Sequence, residues 1–381
     1  MNFQKLENYI QTEMVEKLNV PGCAVAVVKE GEVIYKNAFG YADAEKTRPM
    51  TGNEMYFMYS NSKPVTCTGA VKLIEKGLMK LDDPVAKYLP EFANVMVQNG
   101  DGSVTKAKNT MTIKHLFTMT AGFDYNLNNP ALVALREKNP NFTTREFAKA
   151  MSEYPLRSEP GTRYIYSLCH DVLAAVCEVV SGKIFKDYQK ENIFSPLGMT
   201  KTFFHKEEMD MSELCKLYYR LDPTTGQNEE RALNCVYTLS PNHDSGGAGL
   251  VSCIDDYAKF VSVLSCGGTT KDGYTLLSKG SIDLMRGNHF PPEVEAVFDR
   301  RKLGYSYGLG VRTLVDKQVA GAKSCLGEYG WDGAAGSYLL IDPDAKVGIV
   351  YTQHVLNMSG CNVYTVCHPA IRDLAYEAMG F

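Results

Sequence analysis

Apolar residues recur at helical spacing through the opening stretch MNFQKLENYIQTEMVEKLNV, interleaved with charge, and predict a short amphipathic helix over residues 3–18. The pattern then changes. CAVAVVKEGEVIYKNAFGYAD reads as two β-rich runs joined by a tight turn at Lys29-Glu30-Gly31-Glu32, an antiparallel hairpin. In FMYSNSKPVTCTGAVKLIEKG, residues 57–77, Val65, Ala70, Val71, Leu73 and Ile74 supply the apolar positions of a buried helix. Pro64 fits its first turn and Gly77 its C-terminal stop. Asp82, Asp83 and Pro84 mark a turn, and TIKHLFTMTAG, residues 112–122, predicts a short helix ending at Gly122.

Residues 124–159 are polar and rich in Asn and Pro, with one amphipathic helix expected over 144–153. A Pro160-Gly161 turn leads into an extended run to Tyr166, then a helix over 170–180 stopped by Gly182. Residues 245–268 form a glycine-rich loop and a second amphipathic helix with Tyr257, Phe260, Val261 and Leu264 on one side. Asp255 and Asp256 lie near its start, where carboxylates cap well. Toward the C-terminus, YSYGLGVRTLV and EYGWDGAAGSYLLIDPDAKVGIVYTQHV predict three or more antiparallel strands, followed by a helix over 369–378. Strands at both ends and helices between them imply an α+β fold: one antiparallel sheet flanked by helices, with an inserted helical subdomain. The expected division of this single domain is 1–80 with 300–381 for the sheet part and 81–299 for the mainly helical part.

Composition narrows the classes. With 381 residues, 45% hydrophobic and 22% charged, the chain is an ordinary globular protein long enough for a large core. A net charge of -4 offers no electrostatic case for nucleic acid or an anionic membrane. The opening stretch lacks an uninterrupted apolar run, so neither a signal peptide nor a membrane anchor is expected. Eleven scattered cysteines, an odd count, are read as reduced residues in a cytoplasm. With no C-x-x-C pair and no H-E-x-x-H, neither a metal site nor a cofactor is expected. Cys169 beside His170 invites a thiol nucleophile, but a packed cysteine at a helix start is the simpler reading.

Chemistry enters at Ser60 and Lys63. On a helix these two lie one turn apart on the same face. A serine hydroxyl needs a neighbour to take its proton, and a lysine can do so only where burial keeps it neutral. Free N–H groups at the helix start favour negative charge near Ser60. By itself S-x-x-K is weak, because such pairs arise by chance and a solvated lysine at a helix start has the same spacing.

Six stretches in order make it specific: VPGCAVAVVKEGEVIYKNAFGYAD; SNSK with LIEKGLMKLDDPVAKYLPEF; TIKHLFTMTAG; PGTRYIYSLCHDVLAAVCEVVSG; PLGMTKTFF with GGAGLVSCIDDYAKF; and GWDGAAGSYLLIDP. Together the chain resembles the serine β-lactamase and penicillin-binding-protein-like superfamily, in particular its class C-like branch with family VIII carboxylesterases. The resemblance implies Ser60 as nucleophile with Lys63 assisting. Tyr166, in the place of the Y-x-N tyrosine, completes the proton-transfer machinery. Trp331-Asp332-Gly333 stands where the family carries K-T-G or W-x-G. It implies Trp331, Gly333 and Leu168 at the substrate, and an oxyanion hole from the backbone N–H groups of Ser60 and Ala334.

Two departures shape the expectation. Leu168 replaces the Asn of Y-x-N, and Trp331 replaces the Lys of K-T-G, so an amide and a cation are both missing. Such a pocket suits an uncharged, partly apolar ester better than a penicillin or a D-Ala-terminated peptide. His115 and Asp171 are expected as structural hydrogen-bonding residues, and His354 as a residue that could face the cleft. The reading is a serine hydrolase acting on a small ester. The alternatives are a β-lactamase or D-amino-acid-specific amidase, an acyltransferase, and a non-catalytic binding protein on the same fold. Oligomeric state stays open.

Overall fold

The computed structural model describes residues 1–43 and 45–381. Its sheet is built from strands β1 (Gly22–Lys29), β2 (Glu32–Gly40), β3 (Tyr305–Tyr307), β4 (Arg312–Leu314), β5 (Tyr329–Asp332), β6 (Tyr338–Asp342) and β7 (Val347–Gln353). The order across its seven strands is β2-β1-β7-β6-β5-β4-β3, antiparallel throughout. The N-terminal hairpin thus joins the C-terminal strands at the β1–β7 pair, where Cys23 lies opposite Gln353 and Lys29 opposite Val347. Between β1 and β2, Glu30 and Gly31 take φ of 51° and 86°, the left-handed pair a two-residue hairpin turn requires.

Both faces of β1 are covered, which explains its unbroken apolar run. Cys23, Val25 and Val27 pack with Leu6, Ile10 and Met14 from the N-terminal helix and with Ile371 and Tyr376 from the C-terminal helix His368–Met379. Ala24, Ala26 and Val28 belong to the main core on the other face, with Tyr257, Phe260 and Leu264 of helix Ile254–Ser265. Each fully buried Val or Leu side chain contributes roughly 1.5–3 kcal/mol. The helix Ser62–Glu75, buried along most of its length, joins that core, as does helix Cys169–Ser181, closed by Gly182. The α+β architecture is the expected one.

Several local expectations change. The first helix runs as Gln4–Tyr9 and continues in wider π-type turns over Ile10–Lys17. Helix Ile113–Phe117 stops before Gly122 because Met119 turns to a φ of 57°. The polar segment 124–159 holds a second helix, Pro130–Lys138, started by Asn129, whose side chain accepts from Leu132 N at 3.0 Å. Leu132 is its only fully buried residue, so little periodicity marks it. The run into Tyr166 pairs with no strand. Asp255 and Asp256 do not cap their helix. Asp255 pairs with Lys36 at 2.7 Å, and Asp256 accepts from Lys201 N and Thr202 Oγ1 at 2.7 and 2.9 Å, tying the preceding segment down instead.

Candidate active site

The site begins at a strained turn. Tyr59 is fully buried with a φ of 47°, a conformation costing about 1–3 kcal/mol for a non-glycine residue, held here by packing against Phe57 and Tyr237. It lifts Ser60 into a short 3₁₀ turn, Tyr59–Asn61, immediately before helix Ser62–Glu75. Tyr257 OH donates to Asn61 O at 3.0 Å and Ser62 Oγ accepts from Leu250 N at 3.0 Å, so the turn is fastened to the core.

Lys63 follows one turn on and is wholly buried. Its Nζ lies 3.2 Å from Ser60 Oγ and donates to Gly247 O at 2.8 Å. It also reaches Tyr125 OH at 3.3 Å and sits 4.6 Å from the Tyr166 ring centre. The Tyr166 hydroxyl meets Ser60 Oγ from the other side at 2.7 Å. Trp331 Nε1 donates to that same hydroxyl at 3.2 Å, and its ring stacks on Tyr166 at 5.8 Å. Residues predicted from three distant stretches therefore meet in one connected set of contacts around Ser60 Oγ.

The backbone after Trp331 is pinned against the serine turn. Gly333 has no room for a side chain: a Cβ there would lie 2.6 Å from Met58 O. Asn61 Nδ2 donates to Ser337 Oγ at 2.8 Å, and Gly333 N to Ser337 O at 2.8 Å. Tyr364 OH reaches Gly333 O and Ala334 O at 3.2 and 3.0 Å. Ser60, Gly333 and Ala334 line one cleft of about 340 Å³, walled by Tyr164, Tyr166, Trp331 and Arg300. A larger cavity of about 440 Å³, beside Phe204, His205 and Leu239, holds none of these groups.

Two expected positions lie elsewhere. Leu168 is buried in the main core as the residue before helix Cys169–Ser181 and does not line the cleft. His354 points away from it: Nδ1 faces Cys215 O at 2.9 Å and Nε2 accepts from Phe57 N at 3.2 Å, a strut between segments. His115 and Asp171 take structural places. His115 Nδ1 accepts from Thr112 N at a helix start, and Asp171 Oδ1 accepts from Ser245 Oγ at 2.6 Å and Gly247 N at 3.4 Å. Cys169 is packed, its thiol pushed up to about 12 by burial. Its hydroxyl neighbour Ser167 lies 3.1 Å away.

Three contributors had no motif to reveal them. Tyr125 stacks on Tyr166 at 5.4 Å, and burial, with Tyr166 and Asp171 close by, pushes its hydroxyl well above the ordinary value. It therefore serves Lys63 as a neutral phenol. Tyr364 supports the Gly333 loop. Arg300 lies over the Trp331 ring at 4.6 Å and donates to Asp332 at 2.8 Å, so the cleft has a cation after all, neutralised by its partner. Asp332 is held well below the usual carboxylate range: burial opposes this, but Arg312, Arg300 and His368 outweigh it.

Buried histidines give the fold a pH dependence. Burial lowers His115 and His354 to about 4 and His170 to about 3, from 6.5. Their contribution to stability is complete above about pH 6.5 and is lost as pH falls toward 4, because only the unfolded chain takes up protons in that window. Each tenfold difference in proton affinity corresponds to about 1.4 kcal/mol. Urea midpoints are expected to drop between about pH 7 and about pH 5, with a shallower drop in His354→Gln; equal midpoints at the two pH values would contradict this.

Known proteins match the chain along most of its length. A beta-lactamase family model matches residues 6–360. Protein Rv1367c of Mycobacterium tuberculosis is 27% identical over 354 residues, spanning 89% of this chain and 87% of that protein. Esterase EstB of Burkholderia gladioli is 25% identical over 378 residues, spanning 93% of this chain and 90% of the esterase. The solved structure of EstCE1, described as a hydrolase with promiscuous acyltransferase activity, matches with a TM-score of 0.79 at 26% identity, over 98% of each chain. With a family model that runs through nearly all of its length, the chain belongs to the beta-lactamase family.

Proposed function

We propose that the protein is a serine hydrolase that cleaves a small ester through an acyl-enzyme on Ser60. The observation that carries the reading is the meeting of Lys63 Nζ and Tyr166 OH on Ser60 Oγ, at 3.2 and 2.7 Å, inside an open cleft. In this mechanism Ser60 Oγ attacks the ester carbonyl and its proton passes to the Lys63–Tyr166 pair. The N–H groups of Ser60 and Ala334 stabilise the tetrahedral oxyanion. Tyr166 returns the proton to the departing alkoxide, and water repeats the sequence to release the acid.

Trp331, stacked on Tyr166, offers the acyl or alcohol group an aromatic wall in place of a free lysine. Arg300 is already matched by Asp332, which favours an uncharged substrate over one with a free carboxylate. Unpaired cysteines, nearly all buried, support a reducing compartment such as the cytoplasm. Among the described residues no helix is long and apolar enough to cross a membrane.

The test compares p-nitrophenyl esters of short acids with nitrocefin on one preparation. Ester turnover is expected to exceed nitrocefin turnover by at least about a hundredfold, the scale on which a site missing its polar contacts rejects a substrate that needs them. Nitrocefin hydrolysis as fast as that of the best ester would transfer the assignment to a β-lactamase. The likeness to EstCE1 supports a second reading, acyl transfer, which would appear as faster release of the acyl group when an alcohol is added.

A further inference from the structure

Behind Asp332 lies a second cavity, of about 180 Å³, that shares Arg300, Asp332 and Tyr364 with the Ser60 cleft. Its remaining polar wall comes from Arg312 on β4, Tyr305 on β3, Tyr338 on β6, Thr365, and His368 and Arg372 on the C-terminal helix. It opens to solvent beside Leu303 and Val319, which are 39% and 55% exposed.

Charged groups crowd its wall. Asp332 answers three partners: Arg300 Nη1 at 2.8 Å, His368 Nδ1 at 2.9 Å and Arg312 Nη1 at a loose 3.8 Å. Arg372 is matched by Asp373 at 2.8 and 2.9 Å and donates to Tyr305 OH at 2.7 Å. A third carboxyl, Glu328, accepts from Tyr305 OH at 2.9 Å and lies near Arg312 and Arg372; burial raises its proton affinity and the two cations oppose that. Of the three guanidinium groups, Arg312 is the one left short of acceptors. It is only 3% exposed, its Nη2 donates to Leu339 O at 3.0 Å, and its Nη1 finds no hydrogen-bond acceptor among the described residues. A buried guanidinium N–H left without an acceptor favours any ligand that supplies one.

We propose that this cavity binds a small oxyanion, a carboxylate or a phosphate, against the Arg312 guanidinium. The flat fork of a guanidinium matches either group, and the volume admits one small anion rather than a polymer. Because Arg300 and Asp332 wall both spaces, an anion here draws on the same ion pair that backs Trp331.

Equilibrium dialysis of the full chain against radiolabelled phosphate, and separately acetate, at constant ionic strength tests this. One saturable site is expected for at least one anion, and the arm that saturates identifies the class. Arg312→Gln is expected to weaken uptake at least about tenfold through loss of the charge-assisted bond. Thr365→Glu, a change of an exposed residue on the cavity rim, is expected to do the same by tethering a carboxylate at the mouth, and it decides the matter if Arg312→Gln does not fold. No saturable uptake of either anion, or unchanged uptake in Thr365→Glu, would overturn the site. Neither arm depends on turnover, so failure here leaves the hydrolase reading untouched.

Discussion

Ser60→Ala is expected to lower ester turnover by at least about a thousandfold, because removing a covalent nucleophile leaves only binding and the oxyanion donors. The same substitution is expected to abolish the single adduct that a fluorophosphonate adds to the intact mass of the wild-type chain. The fold should survive. Among the described residues the Ser60 hydroxyl meets only Lys63 and Tyr166, so its loss unfastens no other segment of the fold. Turnover close to wild type in this variant would remove Ser60 from the mechanism, and an adduct that persists would place the reactive group elsewhere. No adduct and no ester turnover in the wild type would move the weight to a binding protein on the same fold.

Tyr166→Phe is expected to slow acylation by about a hundredfold or more, the lower range for loss of a positioned proton-transfer group. The ring itself would stay where it is, stacked between Tyr125 at 5.4 Å and Trp331 at 5.8 Å. What disappears is the hydroxyl that meets Ser60 Oγ at 2.7 Å and accepts from Trp331 Nε1 at 3.2 Å. The cost in stability is that of one unpaired indole N–H, about 1–3 kcal/mol at most. Pre-steady-state burst rates separate the two effects. A burst as fast as wild type would demote Tyr166 to packing.

How much of this was readable in advance depended on how local each feature is. The Ser60–Lys63 pair was readable because a helix places positions three apart on one face whatever surrounds it. Tyr166 and Trp331 were placed through resemblance alone, since nothing in their own neighbourhoods distinguishes a core aromatic from one at a reacting oxygen. Motif adjacency misled at Leu168. It stands in the place of a polar contact residue, yet at the entry to helix Cys169–Ser181 its side chain goes to the core. His354, near the end of a strand, was equally open, and a carbonyl and an N–H from two other segments claimed its ring. Tyr125, Arg300 and Tyr364 had no signal, for each acts on residues thirty or more positions away.

The β-rich runs on either side of Lys29-Glu30-Gly31-Glu32 determined by themselves that the chain would open its antiparallel sheet with a hairpin. Helix periodicity likewise determined which face of Ile254–Ser265 meets that sheet. These follow from backbone geometry, which repeats every two or 3.6 residues and leaves its mark on neighbouring positions. Only the tertiary structure decided what surrounds Ser60 Oγ, which carboxylate neutralises Arg300, and that Arg312 is left with an unanswered N–H. Those outcomes rest on distances of about 3 Å between segments far apart in the chain, set by close packing, to which no local period corresponds.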